Sequence, residues 1–102
     1  MQIYTVTTIQ KIELNDKGFL DTGHCRTHGF FSTLEEAKEC VLNNYGDIFE
    51  YYYDYAVIER YEDGLYPIAE EVYWFKWDIK TNEYHIIDKP KETKHFVNYS
   101  LG

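Results

Sequence analysis

A chain of 102 residues sits near the commonest domain size, so residues 1–102 are expected to form a single domain around one core. Eleven Tyr, six Phe and two Trp exclude a disordered tail, and no stretch approaches the roughly 20 apolar residues that a bilayer span needs. A net charge of −8 excludes a basic nucleic-acid footprint, so a basic protein is the expected partner and direct nucleic-acid binding is not.

The start, Met1-Gln2-Ile3-Tyr4-Thr5, lacks the basic and apolar regions of a signal peptide, which gives a cytoplasmic expectation. Cys25 and Cys40 are too few for a disulfide framework, and they read as two small buried thiols. Charge is unevenly placed. From Glu35 to Glu71 eleven acidic residues face only Lys38 and Arg60, a net of −9, and the rest of the chain sums to +1.

Residues 3–14 are dense in β-branched and aromatic types and run into the turn signal Asn15-Asp16-Lys17-Gly18. This is a first strand, with a bulge or an end expected near Gln10, where the alternation slips. Phe19-Leu20 and then His24 to Phe31 return as a second strand, broken at Asp21-Thr22-Gly23. Ser32-Thr33-Leu34-Glu35-Glu36 holds two overlapping capping boxes, Ser32 with Glu35 and Thr33 with Glu36, so a helix starts here. Leu34, Ala37, Val41 and Tyr45 form its apolar stripe with Cys40 beside it, and Gly46 suits the left-handed residue that closes it.

Asp47 to Tyr55 reads as a short helical turn leading into a third strand, Tyr53 to Glu62. Tyr53, Tyr55, Val57 and Tyr61 should share one face, with Asp54, Ala56, Ile58 and Arg60 on the other. Asp63-Gly64 breaks the strand and Leu65-Tyr66-Pro67 is a loop. Glu70 to Ile79 is bulky on both faces and reads as a central strand, joined by a Lys80–Glu83 hairpin loop to Tyr84-His85-Ile86-Ile87. His95 to Leu101 fits an edge strand. The expected fold is α+β: a single helix packed on one face of an antiparallel sheet of about five strands, in the order β-β-α-β-β-β.

Gly29-Phe30-Phe31-Ser32-Thr33-Leu34-Glu35-Glu36-Ala37-Lys38, Gly46-Asp47-Ile48, Tyr51-Tyr52-Tyr53-Asp54-Tyr55-Ala56-Val57-Ile58-Glu59 and Asn98-Tyr99-Ser100-Leu101-Gly102 together resemble a group of small uncharacterised acidic proteins of bacteria and phages. The likeness covers nearly the whole chain. It implies a part in phage–host conflict and carries no catalytic or binding residues with it.

His24-Cys25-Arg26-Thr27-His28 has the look of a metal site, but on an extended strand His24 and His28 would stand about 13 Å apart, too far for one zinc ion. No metal or other cofactor is expected. A nucleophile with its base, or a phosphate-cradling glycine loop, is not legible, so the chain is not read as an enzyme. The nearest thing to one is Tyr84 and His85 with a neighbouring carboxylate.

The tyrosines from Tyr51 to Tyr55 suit core packing, a protein interface or stacking on a flat ligand. The acidic segment is either a solvated surface or an array of carboxylates that imitates nucleic-acid phosphates in a basic channel. The second alternative makes Glu35, Glu36, Glu39, Asp47, Glu50, Tyr51, Tyr52 and Asp54 the partner-binding residues. The module would be non-catalytic, an anti-CRISPR-like inhibitor of a host defence or nucleic-acid-processing protein. Its rivals are an uncharacterised housekeeping domain and a protein that sequesters a nucleotide-like ligand between Tyr52, Trp74 and Trp77, with Arg26, Arg60 or Lys76 on the phosphate.

Overall fold

The computed structural model describes residues 2–50, 52–62 and 71–93. β1 (Gln2–Ile9) is followed by a two-stranded hairpin of β2 (Glu13–Leu14) and β3 (Leu20–Asp21), and then by β4 (Cys25–Phe31). The single helix α1 (Leu34–Leu42) precedes β5 (Tyr55–Glu62), β6 (Glu71–Asp78) and β7 (Glu83–Ile87), and a 3-10 turn spans Lys91–Thr93. The five long strands form one antiparallel sheet in the order β4-β1-β5-β6-β7 with α1 against one face, an α+β fold. β6 is an interior strand as expected, but β5 holds the centre. The expected Leu65-Tyr66-Pro67 loop and His95–Leu101 strand lie outside the described residues.

The first strand does end near Gln10, which lies in a bend between β1 and the small hairpin. At the hairpin's turn the Asn15 side-chain oxygen accepts the amides of Lys17 and Phe19, and Gly18 supplies the positive φ. The sheet's bulge falls in β4 instead. Pairing steps from Val6↔Gly29 to Thr7↔Thr27, leaving His28 as the extra residue.

Thr33 is the cap of α1: its hydroxyl accepts the Glu36 amide at 3.2 Å and donates to the Glu36 carboxylate at 2.9 Å. Such a cap contributes about 1 kcal/mol. The Ser32–Glu35 box does not form, because the Ser32 hydroxyl also turns to Glu36, at 3.3 Å. At the other end the Tyr45 amide reaches Cys40 O and the Asn44 amide reaches Val41 O, which is the paired-bond ending around a left-handed residue. Asn44 (φ 49) fills that position rather than Gly46, since the helix stops one turn earlier than the apolar stripe suggests. Tyr45 is therefore past the helix and 53% exposed, not in the core.

Ala37, Cys40 and Val41 are buried against Tyr4, Val6, Ala56, Ile58, Phe75 and Tyr84. The middle of the opposite face is buried too. Val57, Trp74 and Ile9 pack there with Ile12, and Leu20 of the small hairpin reaches the same cluster. Thr7, Glu59 and Tyr61 on this face are no more than 2% exposed. From Tyr55 onward the two-faced reading holds, with Glu59 added to the Tyr55/Val57/Tyr61 side, but β5 starts at Tyr55 and not at Tyr53, so Tyr53 and Asp54 precede the strand. Of the two thiols, Cys40 is buried as expected, whereas Cys25 is exposed on edge strand β4.

Candidate functional site

Residues 43–54 connect α1 to β5 and turn repeatedly, with Asn44, Gly46, Asp47 and Tyr52 all at positive φ. Side chains and amides hold this loop in shape. Asn44 accepts the Phe49 amide at 3.0 Å and donates to the Asp47 carboxylate at 3.2 Å, while the Asp47 carbonyl accepts the Glu50 amide. Ile48 drops into the core, and the Phe49 ring stacks on Trp77 with centroids 3.9 Å apart.

The end of the loop is tied to the sheet. The Asp54 amide reaches Gln10 O, the Trp77 amide reaches Asp54 O at 2.8 Å, and the Tyr84 hydroxyl donates to Tyr53 O at 2.6 Å. Tyr53 is 1% exposed, with its own hydroxyl bonded to His24 Nδ1. Burial pushes the Tyr84 phenol far above the usual tyrosine range, and the carboxylates of Asp54 and Asp47 add to the shift.

This framework leaves Tyr52 pointing outward, 79% exposed, its ring edge-to-face with Phe49. Its φ of +63 is unusual for a bulky residue and costs free energy that the loop's other contacts must offset. In the same loop Asp47, Glu50 and Asp54 are exposed, and Glu35, Glu36 and Glu39 stand exposed on α1. Among the described residues only Glu50 of these six carboxylates meets a cation, Arg26 at 3.9 Å on the surface. Glu36 is occupied by the cap. Leu42 and Tyr45, at 42% and 53% exposure, continue the surface between the helix and the loop. Tyr51 lies outside the described residues.

Other residues singled out in the sequence are not brought together. Trp74 belongs to the cluster on the face away from α1 and Trp77 to the helix face, so Tyr52, Trp74 and Trp77 form no sandwich. Successive residues on a strand point to opposite faces. The same alternation parts Tyr84, whose hydroxyl is spent on Tyr53, from His85, which is exposed and bonded to Thr81. Arg60 lies against Gln2, Glu62 and Glu71, and Lys76 lies over the Tyr55 ring.

His24 and His28 do not sit on one regular extended stretch. His24 precedes β4 and His28 is its bulge, so both rings rest against Tyr53, with centroids 5.9 and 6.4 Å from it. Their nitrogens turn to different partners, His24 Nδ1 to Tyr53 and His28 Nε2 to Thr8 Oγ1 at 2.7 Å. Burial, followed by the charge of Arg26, holds His28 below the usual histidine pKa, against the opposing pull of Glu50. Among the described residues no group of three or more His, Cys, Asp or Glu is placed to hold a metal ion. No helix of the described residues is long and apolar enough to cross a membrane.

Comparison with protein-family models, with curated proteins and with solved structures finds no match.

Proposed function

We propose that the protein is a non-catalytic interaction module that engages a basic protein through the outer surface of α1 and the loop 43–54. The observation that carries this reading is Tyr52: an aromatic side chain 79% exposed, on left-handed backbone, between Glu50 and Asp54. A bulky residue held in a costly conformation and turned away from the core supports use of the ring outside the molecule. Tyrosine combines large contact area with a polar tip, which suits the centre of an interface.

The carboxylates supply the longer-range part. Glu35, Glu36, Glu39, Asp47, Glu50 and Asp54 run from the start of α1 past its C-terminal end, and on a folded surface such an array attracts a basic groove. A groove built for nucleic-acid phosphates is the complementary partner. A host defence or nucleic-acid-processing protein is the class that the resemblance to bacterial and phage-borne proteins favours.

The test uses partners captured from bacterial lysate over a salt series, compared among variants whose melting is followed by circular dichroism. Tyr52→Ala and the triple change of Glu35, Glu36 and Glu39 to Lys should each release a partner that the parent retains. Retention should fall steeply with salt, since exposed charges are screened over about 8 Å at physiological ionic strength. Lys89→Glu with Lys91→Glu, exposed and remote in sequence, should leave capture intact. Equal capture by the parent and both acidic-surface variants would leave the carboxylates as a solvated surface and end the proposal.

A further inference from the structure

Between the bend at Gln10, the start of β4 and the side of Tyr53 lies an open pocket of about 610 Å³, lined by Gln10, His24, Cys25, Arg26, Thr27 and Tyr53. In a chain of net charge −8 this lining holds no carboxylate among the described residues. Its polar groups have also been set in one sense. The Tyr53 hydroxyl, on a residue 1% exposed, needs an acceptor for its hydrogen and is bonded to His24 Nδ1. With Nδ1 accepting from Tyr53, the ring hydrogen is carried by Nε2, which meets no acceptor among the described residues. His24 therefore presents a donor.

Arg26 is the second. Among the described residues its nearest anion, Glu50 Oε2, stands 3.9 Å from Nη1, beyond hydrogen-bond reach, so the guanidinium keeps N–H donors to offer. The backbone around both residues is built for this arrangement. Gly23 turns the chain at φ +63, and the Gln10 side-chain oxygen accepts the His24 amide at 2.9 Å, which seats His24 beside Tyr53. The exposed Cys25 thiol lies 3.4 Å from the Thr22 hydroxyl, to which it donates.

We propose that this pocket binds the oxyanion group of a small anionic molecule, a phosphate or a carboxylate, with Arg26 and His24 as its donors. A planar guanidinium and an imidazole lining one pocket match such a group, and charge-assisted bonds of this kind are the strong ones. The pocket is larger than a bare oxyanion requires and lies in the usual range for small-molecule sites. Glu50 is the group an incoming anion must compete with. The proposal does not rest on the partner-binding reading of the acidic surface.

The test is a ¹⁵N–¹H NMR titration of the whole chain with inorganic phosphate, phenyl phosphate, acetate and benzoate in separate arms. Saturable shifts confined to Gln10, residues 24–27 and Tyr53 are expected, and the arm that saturates first distinguishes phosphate from carboxylate. Arg26→Gln should weaken binding about tenfold, the worth of a charge-assisted hydrogen bond. His24→Gln should also weaken it. Glu50→Gln should tighten it about two- to fivefold by removing the competing surface charge, a gain that misfolding cannot imitate. Lys89→Gln should have no effect. Absence of saturable shifts in all four arms, or an Arg26→Gln variant that binds like the parent, would overturn the proposal.

Discussion

Tyr84→Phe removes one oxygen from the contact that ties the end of the acidic loop to the sheet. The ring is 1% exposed and sits edge-on to Trp77 and Phe49, with centroids 5.0 and 6.3 Å away, so the apolar packing survives the change. What is lost is the 2.6 Å bond to Tyr53 O, which leaves that carbonyl without its donor in the interior. An unsatisfied group of this kind costs about 2 kcal/mol, which in a domain of this size lowers Tm by roughly 10 °C. The same substitution has an opposite effect in alkali. Burial raises the native Tyr84 pKa above the ordinary 10.0, so its contribution to stability is complete below pH 10 and lost as pH rises towards the native value. For one group the loss is at most about 1.4 kcal/mol per pH unit, and the variant, with no hydroxyl to ionise, does not incur it. Urea unfolding followed by circular dichroism at pH 7 and at several values above 10 should show the variant clearly weaker at first, with the gap narrowing. A variant as stable as the parent at pH 7, or a gap that stays constant above pH 10, would refute the reasoning.

Val41→Asp places a charge where the native side chain is 0% exposed and should unfold the domain, whereas exposed Glu39→Gln should change stability by less than about 0.5 kcal/mol, both read from melting curves. His28 is held below the ordinary 6.5, so stability from its neutral form is complete above pH 6.5 and lost as pH falls through the native value. His28→Gln should flatten the acid limb of a stability–pH curve from pH 7 to 5, and an unchanged limb would assign that loss to other groups. Gly23→Ala puts a Cβ at positive φ and 2.8 Å from Gln10 Oε1, and should cost about 1–2 kcal/mol in urea unfolding. Gly29→Ala, with open space and ordinary strand backbone, is its control and should not destabilise.

The fold was legible because it is written in local signals. Alternation marked β5 and β6, Asn15 to Gly18 marked the small hairpin's turn, and the hydroxyl–carboxylate pairing of Thr33 with Glu36 marked the start of α1. Where the reading slipped, two local signals competed for one event. Asn44 and Gly46 both tolerate left-handed backbone, and the closing bonds select the earlier one, which carries Tyr45 out of the stripe. Ser32 and Thr33 competed for the cap in the same way, and one carboxylate serves both hydroxyls.

The oxyanion pocket had no such signal, because its parts come from segments far apart in the chain. Gln10 and His24 are 14 positions apart, and His24 and Tyr53 are 29. Spacing within His24-Cys25-Arg26-Thr27-His28 could say only how far apart an ideal strand would hold the two imidazoles. It could not anticipate that a bulge at His28 and a bend before Cys25 would set both rings against one tyrosine from the loop beyond α1. Alternation places Tyr53 on a strand face. In the structure it precedes β5, and its hydroxyl determines which nitrogen His24 shows to the pocket. Tyr52, one residue earlier, points to solvent. Adjacent tyrosines thus separate into a buried one bonded to His24 and an exposed one that faces solvent. The left-handed backbone at Tyr52 falls at the point where the chain divides them.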